Sequence, residues 1–313
     1  MIFPEPLKKG DNVFLFCPSS PIIPEEDIEK CKKVIIDLGF NPVIGKSLYE
    51  NYGGYMAGKA EIRIEDLHEA FSRKDIKGIF CVKGGYSASQ LLDKIDYELI
   101  KNNPKVFVGY SDVTNLHIVF NQKCNLGTYH GPMVKSNMIN DFNDYTKTSF
   151  FEAMEKNETK YEEPENMPLS ILTEGNSPSE NIGGVLTGGN MAIIVTTLGT
   201  QYEIDTKDKI LFLEDVDEEI GSLNRMLTHL KYAGKFSDCK AVVFGNFVAC
   251  KNTYTKENQH YELLELLKDF FADYDKPVIY GMESGHKKPY MFTLPLGAKC
   301  SINLQNKEVL FEK

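Results

Sequence analysis

Three uninterrupted apolar runs in the first half of the chain constrain the fold more than any other feature: Phe14-Leu15-Phe16-Cys17, Ile79-Phe80-Cys81-Val82 and Val106-Phe107-Val108. A strand with one wet face alternates apolar and polar residues, whereas a run without alternation is buried on both faces. We read strands at Asn12–Cys17, Gly78–Val82 and Lys105–Val108, a weaker one at Pro42–Ile44 and a last one at Leu126–Tyr129. Helices lie between them. Glu25–Leu38 sets Ile28, Cys31, Val34, Ile35 and Leu38 on one face and stops at Gly39, and Gly58–Phe71 carries Ile62, Ile64, Leu67, Ala70 and Phe71. Shorter helices are expected at Ala88–Ile95 and Asp112–Asn121. Buried strands alternating with helices make an α/β domain with a parallel sheet covered on both faces. Such sheets bind ligands beyond the carboxyl ends of their strands, so the turns after Cys17, Val82 and Val108 carry the interest.

The 313 residues exceed the usual size of one core, and two domains are expected. The first covers residues 1–140. Residues 141–180 are rich in Asn, Glu, Lys, Thr and Pro, with one helical piece at Ser149–Lys156, and read as a crossover or a lid. Residues 181–313 form the second domain. Its glycine-rich stretch Gly183–Asn190 suits tight turns or close backbone approach. Strands follow at Lys209–Leu213, Ala241–Phe247 and Pro277–Tyr280, with helices at Met191–Leu198, Leu223–Tyr232 and Tyr261–Phe271. Ala298–Leu304 and Glu308–Phe311 read as a hairpin.

Lys and Arg number 35 against 45 Asp and Glu, a net charge of -10, which argues against nucleic acid as a partner and against a polybasic membrane anchor. No run approaches the ~20 apolar residues of a membrane helix, and the N-terminus lacks the order of a signal peptide. The seven cysteines are odd in number, form no C-x-x-C pair and lie mostly in apolar runs, as expected of reduced thiols in a cytoplasmic protein. The six histidines lack zinc-site spacing, and no metal or other cofactor is expected.

The sharpest local signal is Val106-Phe107-Val108-Gly109-Tyr110-Ser111-Asp112, a buried strand that runs into G-x-S and then a helix. Such a turn pushes the serine hydroxyl out of the sheet and leaves the next backbone N–H at a helix start, where it can stabilise an oxyanion. Val113 stands where the full nucleophile motif has a second glycine, and a plain N-cap serine is the alternative. Gly84-Gly85-Tyr86 follows the neighbouring strand and offers the second N–H donor, or else is an ordinary glycine-rich turn. A serine nucleophile needs a base and an orienting acid. His68 and His229 fall in helices, His260 at a helix start and His117 in the helix after Ser111; His130 follows a strand. His286, in the irregular loop Gly281–Pro289, is the best general-base candidate. Glu214 ends a buried strand and needs a cationic or N–H partner, which an imidazole supplies. Asp215, Asp217, Glu218 and Glu219 read as a solvated loop and helix start.

Together these residues resemble the LD-carboxypeptidase family of serine peptidases, which includes microcin C immunity proteins. The resemblance runs nearly end to end. It rests on Pro18-Ser19-Ser20-Pro21, Lys83-Gly84-Gly85-Tyr86, Gly109-Tyr110-Ser111-Asp112, Thr187-Gly188-Gly189-Asn190, Leu213-Glu214-Asp215 with Arg225, and Gly285-His286 before Leu294-Pro295-Leu296-Gly297. It implies a flavodoxin-like N-terminal domain and a smaller β-rich C-terminal one, with the site at their junction in a homodimer, so that neither domain acts alone. It implies a triad of Ser111 as nucleophile, His286 as base and Glu214 as acid, with Gly85 and Asp112 as the oxyanion-hole donors. Lys83 and Ser87 depart from the arginine and glycine frequent at those places, which bears on substrate preference. The implied substrate is a cytoplasmic murein tetrapeptide, cut at the L,D-amide bond to its terminal D-alanine. Lys83, Gly84, Tyr86 and Lys287 are candidate substrate-binding residues, with Lys83, Lys287 and Lys288 as cations for the terminal carboxylate. A peptidyl or aminoacyl nucleotide is the alternative substrate, for which a chain without tryptophan would need Tyr or Phe as the base platform. A non-catalytic muropeptide-binding protein is a third reading.

Overall fold

The computed structural model describes residues 1–176, 181–253 and 261–313; His260 lies outside them. The chain divides into two compact units: Met1–Asn157 with Thr293–Gly297 and Lys313, and Glu158–Phe292 with Ala298–Glu312.

In the first unit, β1 (Asn12–Phe16), β2 (Asn41–Ile44), β3 (Ile76–Cys81), β4 (Val106–Gly109) and β5 (Thr128–His130) form a parallel sheet in the order β5-β4-β3-β1-β2. Leu294–Leu296 adds an antiparallel strand on the β5 edge. That strand was not anticipated: Pro295 argues against a strand interior, and an edge is where proline is tolerated. Five helices accompany the sheet: α1 (Asp27–Asp37), α2 (Ala60–Ser72), α3 (Tyr97–Asn102), α4 (Thr114–Cys124) and α5 (Asp144–Glu155). The helix expected at Ala88–Ile95 is only a 3₁₀ turn, Ala88–Leu91. The helical turns come later, in α3, where the Asp96 side chain caps the start by accepting from Leu99 N at 2.9 Å. Phe71, Phe107 and Phe120 are fully buried and meet edge to face or stacked. Each such burial is worth roughly 1.5–3 kcal/mol.

One helix is turned from its expected orientation. The buried stripe of α2 is Arg63, Asp66, Leu67, Ala70 and Phe71, whereas Ile62 and Ile64 are only partly covered. Positions 63, 66, 67 and 70 keep helical spacing. Two of them are charged residues bonded inside: Asp66 accepts from Lys46 N at 2.9 Å and Ser47 N at 2.7 Å, and Arg63 donates through Nη1 and Nη2, although its Nε has no partner among the described residues.

The second unit carries β6 (Glu158–Lys160), β7 (Ser170–Thr173), β8 (Asn181–Asn190), β9 (Lys209–Val216), β10 (Ala241–Val248) and β11 (Val278–Tyr280). The centre, β8-β9-β10-β11, is parallel. β7 lies antiparallel on β11, and the hairpin Lys299–Asn303/Glu308–Glu312 lies antiparallel on β8 with β6 at its far edge. Helices α6 (Met191–Val195) and α7 (Ile220–Tyr232), and the helix Leu263–Phe270, connect these strands. The glycine-rich stretch is strand, not turn. A Cβ on Gly188, at φ +131°, would lie 1.9 Å from the Phe212 carbonyl oxygen, so the glycine serves close backbone approach. Six cysteines are buried and Cys250 is half-buried. Among the described residues no helix is long and apolar enough to cross a membrane.

Candidate active site

In the first unit, β4 ends at Gly109, Tyr110 is extended and Ser111 has φ +65°. A non-glycine residue held there costs of order 1–3 kcal/mol, and such strain persists where the surroundings enforce it. A strand, a strained serine and a helical turn in succession are the geometry of a nucleophile elbow. Gly84 lies against it: a Cβ there would sit 2.9 Å from Ser111 Cβ and 3.0 Å from its Oγ. Gly85, at φ +150°, is packed against Ser19 and Ser20, where a Cβ would come within 2.0 Å of Ser20 Oγ. The Gly85 N–H has no hydrogen-bond acceptor among the described residues. The buried Asp112 carboxylate ties this loop to the elbow, its Oδ2 accepting from Ser19 Oγ at 2.5 Å and from the Ser87 and Ala88 N–H groups at 2.8 Å.

His117 is not a base here. Its ring is buried between the Thr128 hydroxyl, 2.9 Å from Nδ1, and the Gly109 carbonyl, which accepts from Nε2 at 2.8 Å. Burial pushes its pKa down to about 4, so it is neutral and structural. His130 is buried with its ring edge-on to Tyr110 at 5.8 Å.

In the second unit, β9 runs on through Glu214 and Asp215, with Asn190 of β8 opposite Glu214. Successive strand residues face opposite sides. Glu214, fully buried, accepts from His286 Nδ1 at 2.6 Å through Oε2, and its Oε1 has no partner among the described residues. Asp215 takes the other side, where it accepts from Asn190 Nδ2 at 3.0 Å, Ala192 N at 2.9 Å and Val216 N at 2.9 Å. Asp215 is therefore not part of a solvated run. It is buried, because both faces of a parallel centre are covered. Burial first, and then the neighbouring Glu214 charge, push its pKa up to about 7. For His286, burial opposes the charged ring, but the charge and hydrogen bond of Glu214, with Asp215 and Asp217 behind it, outweigh that, and the pKa is raised.

The loop that carries His286 has little freedom. A Cβ on Gly285, at φ +126°, would lie 2.7 Å from Glu214 Oε2. Gly285→Ala is expected to destabilise the protein by about 1–3 kcal/mol and to separate the ring from the carboxylate. Thermal unfolding and the imidazole N–H resonance would read both effects; an unchanged resonance would contradict the assignment.

Residues 13–131 match the LD-carboxypeptidase N-terminal domain and residues 183–302 its C-terminal domain. A probable murein peptide carboxypeptidase of Bacillus subtilis (strain 168) is 36% identical over 310 residues, 99% of this chain and 94% of that protein. The chain belongs to the LD-carboxypeptidase family. Two solved structures share the fold of this chain. One is the microcin C7 self immunity protein MccF in complex with aspartyl sulfamoyl adenosine, with a TM-score of 0.88 and 24% identity over 100% of this chain and 99% of that one. The other is muramoyltetrapeptide carboxypeptidase from Oxalobacter formigenes, with a TM-score of 0.82 and 24% identity over 96% and 97% of the two chains.

Of the residues singled out in the sequence, Ser111, Gly84, Gly85 and Asp112 are together in the first unit and Glu214 and His286 in the second. Lys83 is half-buried and Tyr86 is 83% exposed. Lys287 donates to the buried Glu283 at 2.7 Å, so its ammonium is already engaged, and Lys288 is exposed. Arg225 is exposed, bonded to Ser222 Oγ at 3.0 Å. Ser87 is buried rather than turned to a ligand. Sequence reasoning missed Arg63 altogether. It sits in Glu61-Ile62-Arg63-Ile64-Glu65, which reads as polar residues on a wet helix face, and nothing local marks it as buried.

Proposed function

We propose that this protein is a serine carboxypeptidase that hydrolyses the L,D-amide bond to the terminal D-alanine of cytoplasmic murein tetrapeptides, as a homodimer and without a cofactor. Ser111, His286 and Glu214 form its triad. The observation that carries the serine-hydrolase reading is the 2.6 Å hydrogen bond from His286 Nδ1 to the buried Glu214 carboxylate. It fixes the tautomer that leaves Nε2 as the base, the role such a pair has in acyl transfer. The similarity to a protein named a probable murein peptide carboxypeptidase supports a murein peptide as the substrate class.

Ser111 Oγ attacks the amide carbonyl while His286 Nε2 takes its proton. The Gly85 and Asp112 N–H groups hold the oxyanion of the tetrahedral intermediate. His286 then returns the proton to the departing D-alanine nitrogen, and water deacylates the enzyme by the same route. Glu214 stabilises the imidazolium formed in each half.

A second reading, cleavage of an aminoacyl or peptidyl nucleotide, is favoured by the likeness to MccF, whose complex holds aspartyl sulfamoyl adenosine. A panel of substrates separates the two. Release of D-alanine from an L,D-tetrapeptide, with kcat/KM at least about tenfold above that for aminoacyl-sulfamoyl adenosine, is the expected result, a gap worth about 1.4 kcal/mol of transition-state binding. The reverse order sinks the substrate assignment. Tight muropeptide binding without turnover of either substrate indicates a non-catalytic binding protein instead.

A further inference from the structure

Arg63 is fully buried, and its guanidinium meets neutral acceptors rather than a carboxylate. Nη1 donates to the Pro18 carbonyl at 2.7 Å, the Ser87 carbonyl at 2.9 Å and Ser87 Oγ at 3.0 Å, and Nη2 donates to Gln90 Oε1 at 2.7 Å. A buried cation without a paired anion is costly, and burial holds its pKa below the usual arginine range. Asp112, the acid whose charge acts most on Arg63, spends Oδ2 on Ser19 and on two loop N–H groups.

The Pro18 and Ser87 acceptors belong to two loops, and Gln90 lies just beyond the second, in the 3₁₀ turn Ala88–Leu91. One is Pro18–Ser20 at the end of β1; the other is Lys83–Ala88 after β3. They are stitched together further by Ser20 N to the Gly84 carbonyl at 3.1 Å, Ser87 N to Ser19 Oγ at 3.1 Å and Ser87 Oγ to the Ser19 carbonyl at 3.3 Å. Between these ties lie Gly84, which packs on Ser111, and Gly85, whose N–H is unspent among the described residues. A segment with two adjacent glycines does not hold one conformation by itself. The arginine fork, with several donors in one rigid plane, can bind carbonyls of both loops at once in a way a lysine cannot.

We propose that Arg63, acting through Ser87, is a positioning residue that fixes the Gly84–Gly85 segment so that the Gly85 N–H is preorganised as an oxyanion donor. The inference rests on the triad reading above, since a preorganised donor matters only if Ser111 is acylated. Ser87 adds a side-chain clasp, its Oγ accepting from Arg63 and donating to the Ser19 carbonyl. Its effect belongs to the transition state, because a carbonyl becomes an oxyanion only there.

The test uses a fluorophosphonate, whose phosphorus is attacked by Ser111 Oγ with loss of fluoride and of the serine proton, and whose phosphoryl oxygen needs the same donors. The full-length wild type, Ser111→Ala, Arg63→Lys and Ser87→Gly are compared by labelling rate and site by intact and peptide mass spectrometry, by kcat and KM on the tetrapeptide, and by thermal unfolding. Arg63→Lys is expected to slow both kcat and labelling by ~10²-fold, the scale of a 1 Å misplacement, with KM within about threefold. Ser87→Gly should slow both by up to ~10-fold, the worth of one neutral hydrogen bond. Normalising kcat to the labelled fraction separates this from a structural role, in which fewer molecules are active but each keeps the wild-type rate. That outcome for Arg63→Lys overturns the proposal. If Arg63→Lys does not fold, Ser87→Gly decides, and an unchanged rate overturns it equally. A wild type that labels at Ser111, with rates insensitive to both variants, removes this inference and leaves the triad standing. A wild type that does not label at Ser111 removes the triad reading and this inference with it.

Discussion

Replacing Ser111 by alanine is expected to lower kcat for D-alanine release by about 10⁴–10⁶-fold, with KM changed by only a few-fold. The nucleophile is lost, whereas the oxyanion donors and the binding contacts remain, so a residual rate above water should persist. Stability provides an independent check on the same residue. Ser111 has φ +65°, and alanine keeps a Cβ in that conformation. Ser111→Ala should therefore unfold at nearly the wild-type temperature. Ser111→Gly, which is just as inactive, should relieve the strain and gain about 1 kcal/mol. A glycine variant that is inactive but more stable is the signature of a site whose native serine is held under strain for function. A Ser111→Ala protein that still releases D-alanine at more than about a hundredth of the wild-type rate would exclude Ser111 as the nucleophile.

The parallel sheet was legible because burial on both faces removes alternation, a signal that survives without any knowledge of the partner strands. Ser111 and Glu214 were legible for a related reason. Each is a polar residue that closes an apolar run, Ser111 where the chain leaves the sheet and Glu214 two residues before the end of β9. The network behind them was not. Arg63, Asp66 and Ser87 are buried polar residues, and a polar residue in a helical segment reads as exposed unless its partners are known. Those partners are the carbonyls of Pro18 and Ser87, which accept from Arg63, and the N–H groups of Lys46 and Ser47, which donate to Asp66, all tens of residues away in the chain. Asp215 escaped for the complementary reason. Four acids within five residues look solvated, yet the first of them is held inside by three donors. Leu294–Leu296 was missed because Pro295 lowers any strand reading and because its partner, β5, lies more than 160 residues earlier.

Glu214→Gln is the second large effect, expected to reduce kcat by ~10⁴-fold, the scale seen when a triad acid becomes an amide. The glutamine N–H competes to donate to His286 Nδ1, and the ring then presents the wrong tautomer to Ser111. The pH profile gives the sign. A general base works when neutral, so activity falls as pH drops through the His286 pKa. In the wild type that pKa is raised, since the Glu214 charge and hydrogen bond exceed the effect of burial. The acid limb of kcat/KM is therefore expected above the unperturbed histidine value of about 6.5. In Glu214→Gln both raising causes from that residue vanish while burial, which favours the neutral ring, stays. The limb should move to lower pH even as the plateau collapses. Asp215 must be considered in the same window, because its own pKa is pushed up to about 7, partly by the Glu214 charge. Removing that charge lets Asp215 ionise at lower pH, and its remaining negative charge limits how far the limb descends. Asp215→Asn in the Glu214→Gln background isolates that contribution and should carry the limb lower still. A limb that rises in Glu214→Gln, or that does not respond to either change, would mean that the titrating base is not the imidazole bonded to Glu214.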